Sequence, residues 1–399
     1  MLPENNENGS PKSDFGPNDF SERTRLVHDA RHDRGAISPP IYQSSLFSFT
    51  DYDSMISRFR GESDHALYSR VDNPTVVELQ KKVAELEGGE ACLAFGSGMA
   101  AISNAILGVV LPGDKVVCIN HVYPDTYRFL RGFCTRFNIH VEFVDGGSLQ
   151  AVEQAIIGAK MLYLESPNSW VMGEQNLKAI AKMAKQAGVI TLIDNSWASP
   201  LFQKPLNDGI DVVIHSASKY ISGHSDVVAG LVISTQERIS TISRNISPFL
   251  GGKLSANEAW LLLRGLRTLP LRMRQHHESA LSLAKKLQDY PYVTKVNHPG
   301  LHPFSDSSLT GYSGLFSFEL HDAVDIPTFC NHLQLFRMGV SWGGFESLVM
   351  PAISVLNQSG EFNSAIDFGV GPRVIRISVG LEETADLWRD LTHAIESAR

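Results

Sequence analysis

The sequence predicts an α/β protein built on a mostly parallel sheet covered on both faces. Two observations carry this. Short apolar, often β-branched runs read as buried strands: ACLAF (91–95), KVVCI (115–119), HVEFV (140–144), KMLYLE (160–165), VITLID (189–194) and DVVIHSA (211–217). The intervals between them have helical length and amphipathic patterning, the alternation that lays crossover helices over the faces of a parallel sheet. In such sheets ligands collect at the carboxyl ends of the strands.

Taken in order, the first twenty or so residues are rich in Asn, Ser, Pro, Gly and acid without periodicity, and a disordered lead-in is expected there. From Arg23 to Asn73 the pattern is irregular, with Pro39, Pro40 and several Gly and Ser, so residues 1–72 read as lead-in plus an extended arm of the kind that packs on a neighbouring subunit. At Asn73 the pattern changes. Asn73 can cap, Pro74 suits a first helical turn, Val76, Leu79, Val83 and Leu86 recur at helical spacing, and Gly88 and Gly89 end the run. The strands follow within an expected large domain over 73–265. An amphipathic stretch from Ala256 to Leu287, expected to be interrupted at Pro270, leads into GLFSFEL and RVIRISVG, read as a smaller α+β domain over 266–399.

Composition narrows the function. With 43% hydrophobic and 20% charged residues in 399, the chain has globular makeup, which excludes a disordered or fibrous protein. No window approaches the roughly 18 unbroken apolar residues of a spanning helix. The start, MLPENNENGSPKSDFGPNDF, is polar and acidic where a secretory signal is basic and then apolar, so a cytoplasmic protein is expected. Lys and Arg total 35 against 43 Asp and Glu, and the scattered basic residues argue against nucleic-acid or membrane partners and for a small molecule. Cys92, Cys118, Cys134 and Cys330 form no close pair and sit mostly in apolar runs, as reduced core thiols do, and no metal site is expected.

Three motifs can carry chemistry. FGSGMAAI follows a strand and opens a helix, so amides near Gly96, Ser97, Gly98 and Met99 would face a ligand with the positive end of the helix dipole behind them. Steric need alone explains glycines in such a turn equally well, and GxGxxA also matches a dinucleotide fingerprint. Against a dinucleotide, KVVCIN ends in Asn120 where an acidic strand end is needed. Asp194 closes VITLID, placing a carboxylate at a strand's carboxyl end, where burial calls for a cationic partner. Lys219 follows the next strand, flanked by Ser216, Ser218 and Gly223, and is placed to be desolvated and nucleophilic. Alone, each has an ordinary structural role as a helix cap or a snorkelling lysine. Together, a phosphate cradle, a strand-end acid and a strand-end lysine meet the needs of pyridoxal phosphate, which requires a covalent lysine, an acid for its pyridine nitrogen and a phosphate site.

At this point the residues resemble a known family, the pyridoxal-phosphate enzymes of cysteine and methionine metabolism (trans-sulfuration). DVVIHSASKYISGHSD is similar to its cofactor-lysine signature, with Ser218 standing where the family usually has threonine. Further matches are YSRVDNPT, FGSGMAA, LESPNS, IDNSWA, RGLRTLPLRMRQHHES, GLFSF, SWGGFESL and IRISVGLE, spanning Ile41 to near the carboxyl terminus. The resemblance implies the fold type I, aspartate-aminotransferase-like architecture: a mostly parallel seven-stranded sheet in the large domain, a smaller C-terminal domain and an N-terminal arm. It implies Lys219 as the cofactor lysine and proton shuttle, Asp194 as the partner of the pyridine nitrogen, and Ser216, Ser218 and the amides of Gly98 and Met99 as phosphate ligands. Tyr123 matches the tyrosine that stacks on the cofactor ring. Tyr68 and Arg70 match a pair lent to the neighbouring subunit's phosphate, which implies a homotetramer built from dimers with shared sites. Arg376 matches the arginine that grips the substrate carboxylate, a task suited to a bidentate fork. Arg373 points to the other strand face by period-two counting.

Within the family, Ser341 and Trp342 of SWGGFESL, with LESPNSWVM and RQHHESAL, resemble bacterial cystathionine β-lyases. The γ-acting relatives more often carry leucine at the position of Trp342, and some carry glutamate at that of Val340. YSRVDNPT and ISPPIYQSS in the arm instead resemble methionine γ-lyase and cystathionine γ-synthase, and the Tyr123-Pro124-Asp125 loop matches neither group's glycine-rich version. The expectation is a carbon–sulfur β-lyase acting on cystathionine. The alternative is a γ-elimination or γ-replacement enzyme on homoserine-derived substrates, including an oxygen analogue such as canavanine.

Overall fold

The computed structural model describes residues 20–28, 32 and 35–399; the expected disordered lead-in lies largely outside them. Strands β1 (Ala91–Phe95), β2 (Lys115–Ile119), β3 (His140–Val144), β4 (Met161–Glu165), β5 (Ile190–Asp194), β6 (Val212–His215) and β7 (Gly230–Ser234) form one sheet in the order β1-β7-β6-β5-β4-β2-β3. The run β3-β2-β4-β5-β6 is parallel, and β7 enters antiparallel to both β6 and β1. The six runs read from the sequence are six of these strands. The seventh, GLVIS, is preceded by a serine-rich loop and needs no crossover helix, so the strand–helix alternation does not announce it. Because β4, β5 and β7 are buried along nearly their whole length, they read as continuous apolar runs rather than alternating ones.

The helix Pro74–Glu87 forms as its sequence dictates. Asn73 Oδ1 accepts from the Thr75 amide at 3.0 Å, proline occupies the first turn, and Gly88 closes the helix at φ +82°. The arm is more regular than its sequence suggests, with helices Glu22–Val27 and Tyr52–Arg60; Asp51 and Ser54 make a reciprocal capping box at the start of the second.

A second sheet of five strands, β8 (Val293–Asn297), β9 (Leu315–Leu320), β10 (Arg337–Met338), β11 (Leu348–Pro351) and β12 (Val374–Ser378), is ordered β10-β11-β12-β9-β8 and makes the smaller α+β unit. The helix Ala256–Gln288 joins the two. Leu262, Leu266 and Leu269 pack with the large-sheet side, while Leu283, Ala284 and Leu287 pack with the small sheet. It does not break at Pro270. Proline removes one intrahelical donor, but fifteen buried residues hold the helix on both sides. The Gly265 carbonyl takes the Thr268 hydroxyl at 3.2 Å and Arg272 Nη2 at 2.8 Å. We propose the division near residues 265/266 as the boundary between the two domains, and it falls inside this helix. The four cysteines are free and buried. Among the described residues no helix is long and apolar enough to cross a membrane.

Two histidines are held neutral by burial, His276 where the long helix meets both units and His298 within the smaller one. His276 is fully buried, its Nδ1 paired with the Val379 carbonyl at 2.9 Å, and burial lowers it to about 4. His298, packed against Tyr312 and Phe316, is lowered to about 3 by burial. An unfolded chain binds protons at these imidazoles near pH 6.5 and the folded one does not, so their contribution to stability is full above that pH and declines as pH falls. By pH 4 the loss is on the order of 3 kcal/mol for each histidine. Thermal unfolding followed from pH 7 to 4 is expected to show a falling Tm, and His298→Phe is expected to flatten the decline; an identical slope in that variant would refute the assignment.

Candidate active site

One cavity of about 470 Å³ opens at the carboxyl ends of the parallel strands. Gly98, Met99, Tyr123, Asp194, Ser216, Ser218, Lys219, Ser341 and Trp342 all line it, as the sequence reading groups them.

The cradle is built by the turn after β1. Ser97 caps the helix Gly98–Leu107, its hydroxyl accepting from the Ala100 amide at 3.0 Å, which leaves the amides of Gly98 and Met99 at the helix start without intrahelical acceptors. A Cβ at Gly98 would stand 2.9 Å from Ser216 Oγ, so glycine is required for the turn to meet the Ser216 hydroxyl. Ser218 is bound to Ala229, accepting from its amide at 2.9 Å and donating to its carbonyl at 3.2 Å.

Asp194 ends β5 and is nearly buried. Its Oδ1 accepts from the Ser196 amide at 2.9 Å and the Ser196 hydroxyl at 2.5 Å, while Oδ2 accepts nothing among the described residues. Burial raises its proton affinity; the Ser196 bonds, His215 and Lys219 oppose that. Ser196 Oγ also accepts from the Ser216 amide at 2.6 Å, joining the acid to the cradle.

Lys219 sits in the turn after β6. Its Nζ lies 2.8 Å from Ser341 Oγ and 5.4 Å from the Trp342 ring centre. Burial, with help from Arg376 and against Asp194, lowers its pKa to about 8, so the free amine is far more populated near neutrality than in an ordinary lysine. The turn holds its shape through Gly223, at φ +70°, over which the Arg272 guanidinium lies; a Cβ there would meet Arg272 Nη1 at 2.0 Å. Arg272 Nη1 donates to the Tyr220 carbonyl at 2.6 Å.

Tyr123, half exposed, donates its hydroxyl to Asp125 Oδ2 at 2.8 Å, and burial together with Asp125 pushes its phenol well up. Arg376, on β12, is buried; it lies 4.9 Å over the Trp170 ring and points Nη2 at Met350 Sδ, 3.2 Å away. Burial lowers it to about 10. Arg376 is not among the residues lining the cavity; among the described residues no carboxylate hydrogen-bonds it, and Glu165, which lines the cavity, acts on it through space. Arg373 faces away, donating to the carbonyls of Leu320 and His321, as period two requires.

Tyr68 and Arg70 do not reach this cavity. They border a separate one of about 500 Å³ with Tyr42, Lys253 and Ser255, where Arg70 Nη1 donates to the Pro248 carbonyl at 3.3 Å. Sequence reasoning missed Glu165, Ser196, Trp170 and Arg272. Glu165 carried the same signal as Asp194, a carboxylate closing an apolar strand run, and the two are register partners.

Fold and cavity together define an α/β enzyme equipped for a phosphate-bearing aldehyde cofactor with a basic ring nitrogen. The family model for Cys/Met metabolism PLP-dependent enzymes matches residues 23–396. The chain is 36% identical over 386 residues to an L-methionine gamma-lyase of Pseudomonas putida, covering 94% of this chain and 97% of that protein. It is 34% identical over 385 residues to a cystathionine beta-lyase of Lactococcus lactis subsp. cremoris, covering 94% and 99%. The crystal structure of cystathionine gamma-lyase from Lactobacillus plantarum complexed with L-serine superposes with a TM-score of 0.87 at 34% identity, covering 95% of this chain and 99% of that one. The chain belongs to the Cys/Met metabolism family of pyridoxal-phosphate-dependent enzymes, and pyridoxal phosphate is its cofactor. The residues fit that group: Gly98 leaves the cradle open where a Cβ would meet Ser216, Asp194 offers an unbonded oxygen, and burial makes the Lys219 amine easier to deprotonate than an ordinary lysine's.

Proposed function

We propose that the chain is a carbon–sulfur lyase that acts by β-elimination on cystathionine-like amino acids, releasing a thiol, pyruvate and ammonia. The observation that carries this reading is the wall beside Lys219, where the Trp342 indole lies 5.4 Å from Nζ and the Val340 side chain is exposed at the cavity edge. β-Elimination needs one base at the α-carbon. Lys219 is suited to it by its lowered proton affinity, whereas the Tyr123 phenol is held protonated and both oxygens of Glu165 are taken by donors.

In this reading Lys219 would hold the cofactor and take the substrate α-proton, and Asp194 would serve its pyridine nitrogen. Ser216, Ser218 and the amides of Gly98 and Met99 would hold the phosphate, and Tyr123 would pack on the ring. Arg376 receives the substrate carboxylate, and Ser341 and Trp342 shape the substrate wall. When bound, pyridoxal phosphate supplies an electron sink for charge developing at the substrate α-carbon. Tyr68 and Arg70 serve the cavity of a neighbouring subunit in a homotetramer of dimers, which accounts for their distance from Lys219 within one chain. A cytoplasmic setting accords with the free cysteines.

A second reading, γ-elimination or γ-replacement on homoserine-derived substrates, is favoured by the arm motifs and by the likeness to a protein named L-methionine gamma-lyase. Incubation with L-cystathionine separates the two. Pyruvate is the expected keto acid; 2-oxobutyrate would replace the first reading by the second.

A further inference from the structure

Glu165 is a buried carboxylate that the roles above leave without a task. It ends β4 directly beside Asp194, its register partner at the end of β5, so two acids stand on neighbouring strands at the strand spacing of roughly 4.8 Å. Placing like charges together under burial is unfavourable, and both carboxyls are raised by desolvation, Glu165 further by Asp194. The arrangement is held by specific bonds. Glu165 Oε2 accepts from the Tyr123 amide and Oε1 from the Ser169 hydroxyl, each at 2.7 Å. Ser169 precedes Trp170, the ring on which the Arg376 guanidinium rests, and the Trp170 carbonyl accepts from Ser317 Oγ at 2.6 Å, on the strand paired with β12.

We propose that Glu165 is a positioning residue of this site: through the Tyr123 amide it fixes the loop that covers the cofactor ring, and through Ser169 it fixes the Trp170 platform that aims Arg376 at the substrate carboxylate. With both oxygens accepting, it is not itself a base.

The test uses the holoenzyme carrying Glu165→Gln, which keeps size and one acceptor but puts a donor where the second acceptor stood, facing either the Tyr123 amide or the Ser169 hydroxyl. Titration with L-cystathionine, followed by the visible absorption of the bound cofactor, is expected to show about tenfold weaker binding. This readout does not depend on which carbon later loses its substituent, so this proposal and the β-lyase reading fail separately. Ser169→Ala, in which Glu165 loses one donor, is expected to weaken binding in smaller measure, and it serves if the glutamine variant does not fold. A lower Tm with wild-type binding would reduce Glu165 to a structural residue and overturn the proposal. Wild-type binding in Ser169→Ala would overturn the route through Trp170.

Discussion

Lys219→Ala is expected to abolish turnover and to remove the covalently held cofactor, read as loss of the visible absorption that borohydride otherwise fixes to the chain. The expectation follows from placement. Lys219 is the lysine lining the cavity, its amine partly neutral near pH 8 and held 2.8 Å from Ser341 Oγ. Alanine leaves the cradle and Asp194 in place, so cofactor should still associate reversibly, and its retention by dialysis distinguishes a lost nucleophile from a misfolded site. Arginine in the same position would keep charge and length but not a titratable amine, and it should be equally inactive. Residual turnover near the wild-type rate in Lys219→Ala would overturn the site.

The second large effect is expected for Arg376→Ala. The guanidinium is buried and stacked 4.9 Å over Trp170, and among the described residues no carboxylate makes a hydrogen bond or ion pair with it. An anion brought by the substrate would complete a charge-assisted pair where water competes poorly. Removing the fork should cost on the order of 3 kcal/mol, about two orders of magnitude in kcat/KM. The visible absorption of the bound cofactor should survive, because Arg376 acts on the substrate. Arg376→Lys keeps the charge without the planar fork and is expected to fall between the two. An unchanged kcat/KM in Arg376→Ala would remove the arginine from substrate recognition.

The fold class and the centre of the site were legible in the chain because they rest on local signals. Strands buried on both faces read as apolar runs, and the parallel order follows once helices separate them. Asp194 and Lys219 declare themselves because each closes such a run, and chain topology carries every strand end of that kind to one edge of the sheet. The Asn73 cap and Pro74 gave the start of the compact part for the same local reason.

What stayed hidden depended on partners far away in sequence. Glu165 carried the strand-end signal too, but its meaning lies in the amide of Tyr123, which is 42 residues away, and in the register with Asp194. The continuity of Ala256–Gln288 through Pro270 is decided by burial against both sheets, which outweighs one lost hydrogen bond. The placement of Arg376 over Trp170 joins residues some two hundred positions apart, and the separation of Tyr68 and Arg70 from the Lys219 cavity is a matter of how the arm is laid down. The sequence by itself determined the α/β class and the cofactor chemistry, and it placed an acid and a lysine at strand ends, because each signal is a short local run, a strand and the turn that closes it. Tertiary structure alone decided which charges face one another across the cavity, because burial and electrostatics act through space and are set only when the two sheets pack.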